Sequence, residues 1–308
     1  MRIVFLDAQT MGNIDFSSLE KIGDLTLYNH TLPHEVEKRI EGAEVVITNK
    51  VRIEKKHIDG AKALKLICIA ATGMNNVDLQ AAETAGIPVR NVVNYSTESV
   101  AQFTIGLLLE LVNNTGYYRQ YMQGTDYAEQ PLFTHIGPGF FELKDKVLGI
   151  IGLGNIGRRV AEMAGAFGMK VVYYSSSGED RSKAYQRLEL DDLLEQVDIL
   201  SIHAPLNAHT EDLLTFSRLQ QMKSTAYLIN TGRGGIVNED DLVKAIDQEV
   251  IAGAAVDVFT QEPLPLSHPY YQCEKKERLL LTPHIAWGSS ASRQLLLERI
   301  VENIEEGV

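Results

Sequence analysis

Short apolar runs alternate with amphipathic stretches along almost the whole chain. Ile3–Leu6, Leu25–Tyr28, Val45–Thr48, Leu66–Ala70 and Ile87–Val93 have the length and β-branched content of buried strands. Pro33–Ile40, Lys55–Ala61 and Leu79–Ala85 lie between them with apolar residues at helical spacing. Connections of this length supply the right-handed crossovers that parallel strands require, so the first part of the chain is predicted to be a doubly wound parallel α/β domain.

After Val93 the pattern changes. Ser96 or Thr97 is placed to cap a long helix whose apolar face runs Val100, Phe103, Leu107, Leu108 and Leu111, and this helix reads as the crossing between two domains. Gly124–Lys144 is rich in Gly, Pro and aromatic residues, among them Tyr127, Pro131, Phe133, Pro138, Phe140 and Phe141. It is too apolar for a solvated linker. Two readings follow, a loop packed on its own domain or a contact between subunits.

Alternation resumes at Lys146. Val147–Ile151 reads as a buried strand, and Gly152, Gly154 and Gly157 form the pattern G-x-G-x-x-G at its end. A helix follows, with Ile156, Val160, Met163, Ala164 and Phe167 at helical spacing and Gly168 suited to a left-handed C-cap, and Val171–Tyr174 supplies the next strand. In this strand-turn-helix-strand setting the glycines allow a tight turn and a close approach of backbone to a pyrophosphate, and the helix N-terminus faces its charge. Dinucleotide binding is predicted. Beyond it, Leu190–Val197 and Glu211–Met222 read as helices, and Ile199–His203, Ala226–Asn230, Ile251–Phe259 and Leu279–Thr282 as strands. Asn238 caps a helix through Ile246, and Ser289–Ile304 is helical.

With 308 residues the chain has room for two domains of ordinary size. The balance of 41 acidic to 29 basic residues, a net charge of −12, disfavours nucleic acid and anionic membrane as partners. Small molecules are the expected ligands. The two cysteines, Cys68 and Cys273, suggest neither a disulfide framework nor a metal site and fit a reducing compartment. The N-terminus reads as the first strand of a fold with no export signal, and no apolar stretch is long enough to span a bilayer.

Three stretches of the second half fall at or beside strand ends: Asn230–Val237, Asp257–Pro263 and Thr282–Trp287. Ligands of open α/β sheets bind outside the carboxyl ends of the strands, so Arg233, Glu262 and His284 are expected to face a cofactor crevice. They offer a carboxylate binder, an orienting acid and a proton carrier.

The chain resembles the D-isomer-specific 2-hydroxyacid dehydrogenase family over nearly its whole length. The resemblance rests on GLGNIG at Gly152–Gly157, Ser-Ile-His-Ala-Pro-Leu at Ser201–Leu206, NTGRGGIV at Asn230–Val237, the pair Asp257 and Glu262-Pro263, and TPH at Thr282–His284. Ala71-Thr-Gly-Met-Asn-Asn-Val-Asp and Thr282-Pro-His-Ile-Ala-Trp look most like glycerate dehydrogenases, also called hydroxypyruvate reductases, and some D-lactate dehydrogenases. The resemblance implies two doubly wound parallel-sheet domains: a flavodoxin-like substrate domain, 1–97, and a Rossmann cofactor domain, 98–285, with a dimerisation segment near 116–145. A helix, 286–308, would return to the substrate domain. A cytoplasmic homodimer acting on a small 2-keto or 2-hydroxy acid is implied with it, the two domains closing over the substrate.

By the same resemblance Arg233 holds the substrate carboxylate, His284 is general acid in reduction and base in the reverse direction, and Glu262 orients the imidazole. Gly152, Gly154, Asn155, Ile156 and Gly157 match the pyrophosphate turn. Ser175, His203, Ala204, Pro205 and Thr210 match positions near the adenosine half, and Thr231, Gly232 and Asp257 positions near the nicotinamide half. Thr72, Gly73 and Met74 match a loop that binds substrate carboxylate, with Asn49 and Trp287 as candidate pocket walls.

Ser175 stands where an acid usually receives the ribose hydroxyls of NAD, so nothing obvious repels a 2′-phosphate. Arg181 is near enough in sequence to approach one, while Glu179 and Asp180 would oppose it. NAD and NADP are both left open. D-lactate dehydrogenase or glyoxylate reductase is the nearest alternative activity, and a nucleotide-sensing corepressor-like binding protein is the alternative of another class. Glu262 argues against formate dehydrogenase, which is expected to carry Gln there, and a chain ending at Val308 argues against a phosphoglycerate dehydrogenase of the extended type.

Overall fold

A computed structural model describes Met1–Val308, which divide into two compact units, Met1–Ser96 with Trp287–Val308, and Thr97–Ala286. The first unit is built on strands β1 (Arg2–Phe5), β2 (Asp24–Leu27), β3 (Val45–Thr48), β4 (Leu66–Ile69) and β5 (Val89–Arg90). They form one parallel sheet in the order β2-β1-β3-β4-β5. Alternate residues of β1, β3 and β4 enter two separate cores. Val4, Val46, Ile67 and Ile69 pack with Val36, Ile40, Ile58 and Ala82 from the helices Val36–Ile40, Lys55–Gly60 and Leu79–Thr84. Ile3, Phe5, Val45, Ile47, Leu66 and Cys68 pack with Leu296, Leu297, Ile300 and Ile304 of the helix Ser290–Glu305. Covering both faces explains why these strands read as continuous apolar runs.

The second unit has seven parallel strands: β6 (Val147–Ile151), β7 (Lys170–Tyr174), β8 (Gln186–Arg187), β9 (Ile199–Ile202), β10 (Tyr227–Asn230), β11 (Gly253–Val256) and β12 (Leu279–Leu281). Their order is β12-β11-β10-β9-β6-β7-β8, so the winding reverses between β6 and β9. Loops that leave the carboxyl ends of β6 and β9 therefore flank a crevice where ligands bind in such sheets. One face packs against the helices Thr97–Asn113 and Asn155–Ala166, the other against Leu190–Gln196 and Glu239–Asp247.

Three local expectations are corrected. The helix expected over Glu211–Met222 is confined to Phe216–Leu219. Leu214 instead forms a parallel bridge with Val237, its N–H on the Ile236 carbonyl and its carbonyl on the Asn238 N–H, so its backbone is committed to strand pairing. Strand β8 was not expected. It is two polar residues long at the sheet edge, and its pairing with Val172 and Tyr173 leaves no apolar period to read. The long strands read over Ile87–Val93 and Ile251–Phe259 shrink to β5 and β11, because their flanks serve loops. No helix is long and apolar enough to cross a membrane.

Candidate active site

The glycine turn closes β6. Gly152 has φ +92, and a Cβ there would lie 2.6 Å from the Ala204 nitrogen, so only glycine lets this turn meet the loop that leaves β9. His203, Ala204 and Gly232 converge at the same place: a Cβ on Gly232 would approach the Ile202 carbonyl to 3.0 Å and the His203 Cα to 3.4 Å. The helix Asn155–Ala166 starts immediately, with no side chain capping its first turn, and a Cβ at Gly154 would meet nothing within 4 Å. An open approach to a helix N-terminus suits a pyrophosphate, as the residues require.

Side chains around this turn are neutral. Burial pushes the His203 imidazole down to about 3, its Nε2 lies 2.9 Å from Ser201 Oγ, and its buried Nδ1 has no partner. The Thr210 hydroxyl donates to the Pro205 carbonyl and accepts from the Asn207 N–H, which staples the loop 205–210. Thr231 Oγ1 lies 2.9 Å from Thr104 Oγ1; because Thr104 donates to the Val100 carbonyl, Thr231 must donate to Thr104.

Arg233, Glu262 and His284 follow β10, β11 and β12, which are neighbours in the sheet, so the three loops emerge side by side. Arg233 is positioned by its own turn: Asn230 Nδ2 donates to its carbonyl, Asn230 Oδ1 accepts from the Gly232 N–H, and its Nη1 donates to the Gly232 carbonyl at 2.8 Å. The turn lies hard against the end of β11, where a Cβ on Gly234 would fall 2.0 Å from the Phe259 carbonyl carbon.

His284 has φ +51, a left-handed conformation that is uncommon for so bulky a residue. Asp257 holds it there. Its buried carboxylate accepts from Thr282 Oγ1 at 2.6 Å, the Ile285 N–H at 2.9 Å and the Ala286 N–H at 3.0 Å, donors on both sides of the histidine. Burial raises the Asp257 carboxyl above its usual value against these hydrogen bonds. His284 Nδ1 lies 2.9 and 2.8 Å from the two Glu262 oxygens, so Nδ1 carries a proton and donates to the carboxylate. Both side chains are about three-quarters covered, at 24% and 28% exposure, which strengthens the pairing over that of surface ions.

Ser175 is buried with its Oγ 3.2 Å from Ser177 Oγ. Asp180 accepts from the Tyr173 hydroxyl, which holds its carboxyl below the usual value, and Glu179 contacts the Arg181 guanidinium at 2.7 Å. The two acids that would oppose a 2′-phosphate are thus each engaged by a neighbour.

Asn49, Thr72, Gly73, Met74 and Trp287 belong to the first unit, the catalytic candidates to the second. Thr72 donates to the Val92 carbonyl, Met74 packs on the core, and Trp287 stacks edge-on against Tyr95 at 6.2 Å. Sequence reasoning missed Asp7. Its buried carboxylate accepts from the N–H groups of Asn49, Lys50 and Val51, and Asn76 ties the same loop to the one carrying Gly73 by donating to the Asn49 and Val51 carbonyls. The one available signal was an acid just after the first apolar run.

The family model for D-isomer specific 2-hydroxyacid dehydrogenase, NAD binding domain, matches residues 105–286. A hydroxypyruvate reductase of Blautia hydrogenotrophica is 34% identical, covering 99% of this chain and 96% of its own, and a glycerate dehydrogenase of Methylorubrum extorquens is 33% identical over 99% and 95%. Among solved structures, an acyclic imino acid reductase in complex with NADPH and D-Arg matches with a TM-score of 0.83 at 30% identity, covering 99% and 96% of the two chains. D-lactate dehydrogenase from Aquifex aeolicus, complexed with NAD and lactic acid, matches with a TM-score of 0.81 at 27% identity, over 99% and 94%. With this glycine turn, these strand-end loops and these matches along its length, the chain belongs to the D-isomer specific 2-hydroxyacid dehydrogenase family, oxidoreductases that use NAD(P) and act on CH–OH groups.

Proposed function

We propose that the chain interconverts hydroxypyruvate and D-glycerate. The relatives named for these two compounds, which align over almost all of the chain, support that choice of substrate. The observation that carries the chemistry is the clamp of both Glu262 oxygens on His284 Nδ1, which dedicates the opposite ring nitrogen, Nε2, to the substrate's proton. In reduction Nε2 donates a proton to the C2 carbonyl oxygen, and in oxidation it takes the hydroxyl proton back. Glu262 stabilises the charged imidazole between these events. The Arg233 guanidinium matches the two oxygens of the substrate carboxylate and polarises the neighbouring carbonyl.

The bound nicotinamide supplies or accepts the hydride. Gly152, Gly154, Asn155, Ile156 and Gly157 would hold its pyrophosphate, Ser175, His203, Ala204, Pro205 and Thr210 its adenosine half, and Thr231, Gly232 and Asp257 its other end. Following reduced cofactor with hydroxypyruvate, glyoxylate, pyruvate and a keto acid plus amine tests the assignment. The highest kcat/KM is expected for hydroxypyruvate; a higher value for another member would reassign the substrate.

Cofactor choice is tested in the same assay. Ser175→Asp places a carboxylate where a 2′-phosphate would lie, so the preference for NADH over NADPH is expected to rise roughly tenfold or more, a discrimination built by repulsion. An unchanged ratio would show that position 175 does not face the ribose.

A homodimer formed through 116–145 is inferred with this reading. Phe133 is 90% and Ile136 80% exposed, and Leu132 and Phe140 in the same segment are exposed too, large apolar side chains that a partner surface would cover. Sedimentation equilibrium is expected to give about twice the 34.2 kDa chain mass, and Phe133→Glu with Ile136→Glu to return it to one chain. A cytoplasmic setting is proposed as well, supported by two cysteines that are both unpaired and buried.

A further inference from the structure

We propose that Glu239 and His268 are positioning residues for the proton-transfer pair, bracing the turn that carries Glu262. The inference rests on the roles given above to His284 and Glu262. That turn leaves β11 at Asp257 and closes on itself, with the Phe259 N–H donating to Glu262 Oε1 at 3.1 Å. Its outer side is gripped by Glu239, the first residue of the helix Glu239–Asp247. The Thr260 N–H donates to Glu239 Oε1 at 2.9 Å, and the Thr260 hydroxyl donates to Glu239 Oε2. Glu239 thus holds both hydrogen-bond donors of a residue two positions from Glu262.

His268 fixes Glu239 in turn. The Tyr270 N–H donates to His268 Nδ1 at 3.3 Å, so that nitrogen carries no proton, and Nε2 donates to Glu239 Oε2 at 3.0 Å. Both side chains are almost fully covered, at 5% and 10% exposure. The ring of Phe259 packs edge-on against His268 and Tyr270 at 6.4 and 6.0 Å, which joins the turn to the same cluster by apolar contact. A buried carboxylate that accepts three hydrogen bonds has one low-energy position, and so does the turn it holds. The pairing of Glu262 with Nδ1 depends on that position, because proton-transfer geometry is lost by displacements of about half an ångström.

Charged groups near this cluster include Asp240, which acts on Tyr270, and Asp257, which faces His284. Tyr270 is kept neutral, its phenol pushed well above its usual value by burial.

The test measures kcat for hydroxypyruvate reduction across pH, together with the dissociation constant of the reduced cofactor, in full-length Glu239→Ala, His268→Phe, His268→Gln and Glu262→Gln. Without its brace Glu262 stabilises the charged imidazole less, so Glu239→Ala is expected to lose roughly 10- to 100-fold in kcat. The alkaline fall of its rate profile is expected to move down by roughly half a pH unit or more, with cofactor binding within about twofold of the parent. His268→Phe, which keeps the bulk but not the donor, moves in the same direction, and His268→Gln, which keeps a donor, stays near the parent. If Glu239→Ala does not fold, the two His268 variants decide. Folded Glu239→Ala or His268→Phe with an unmoved profile and kcat within about twofold would overturn the brace while leaving the catalytic pair standing. An unmoved profile in Glu262→Gln would instead overturn the pair, and the brace with it.

Discussion

His284→Gln is expected to lower kcat for keto-acid reduction by roughly 10²–10⁴, the usual contribution of a positioned general acid, while the dissociation constant of the reduced cofactor changes by less than about threefold. The asymmetry between the two readouts is the point. The turn after β6 and the loop after β9, which would hold the pyrophosphate and adenosine half, are remote in the sheet from His284, which follows β12 at its far edge. Gln keeps a hydrogen-bonding group near Glu262 but has no group that exchanges a proton near neutral pH. Single-turnover rates with saturating cofactor and stopped-flow fluorescence for binding would separate chemistry from affinity. A kcat within a few-fold of the parent would move the acid's role to another group.

Arg233→Ala is expected to reduce kcat/KM for hydroxypyruvate by roughly 10²–10⁴. Two proposed charge-assisted hydrogen bonds to the substrate carboxylate would be lost, each of about 1.5–3 kcal/mol, and the lower end of their sum already exceeds about a hundredfold. Both kcat and KM should suffer, since in the proposed roles the guanidinium would anchor the carboxylate and also act on the carbonyl as charge develops there. Arg233→Lys should recover only part of the loss, because an ammonium is a point charge without the planar fork. The turn itself should survive either change: Asn230 holds it through the backbone of 232 and 233, not through the guanidinium. If Arg233→Ala retained kcat/KM within a few-fold, the substrate carboxylate would be bound elsewhere.

What could be read in the sequence about this site was its chemistry by residue type and its placement at strand ends. Motif by motif, Gly152–Gly157, Arg233, Glu262 and His284 sit in short segments next to apolar runs, and the parallel-sheet rule puts such segments at one edge. The order in which they meet depends on strand order. Nothing local says that β11 lies between β10 and β12, or that the loop after β9 touches Gly152, since those neighbours come from crossovers rather than adjacency in sequence.

Anchoring residues were the least legible. Asp257 is read from its motif as a cofactor contact; its carboxylate also accepts three donors from 282–286, an anchoring role at the left-handed turn of His284 that the motif did not disclose. Glu239 follows the helix cap read at Asn238, and His268 drew no reading from the sequence. They are 29 residues apart and meet only when the helix after β10 and the segment after β11 pack together. Asp7 and the loop 49–51, more than 40 residues apart, are the equivalent in the first unit. The failed helix over Glu211–Met222 has the same origin: its helical pattern is real, but a bridge between Leu214 and Val237 claims the backbone first.

The sequence by itself determined the two parallel α/β sheets and the dinucleotide turn, and it pointed to the three residues proposed for substrate chemistry. Each follows from a period or a short motif, and both are local. Only the tertiary structure decided which nitrogen of His284 is committed to Glu262, which carboxylates hold loops, and which acids near Ser175 are already engaged. Those facts depend on donors and acceptors brought together from distant parts of the chain, where burial makes an unpaired polar group costly and so gives each partner little choice.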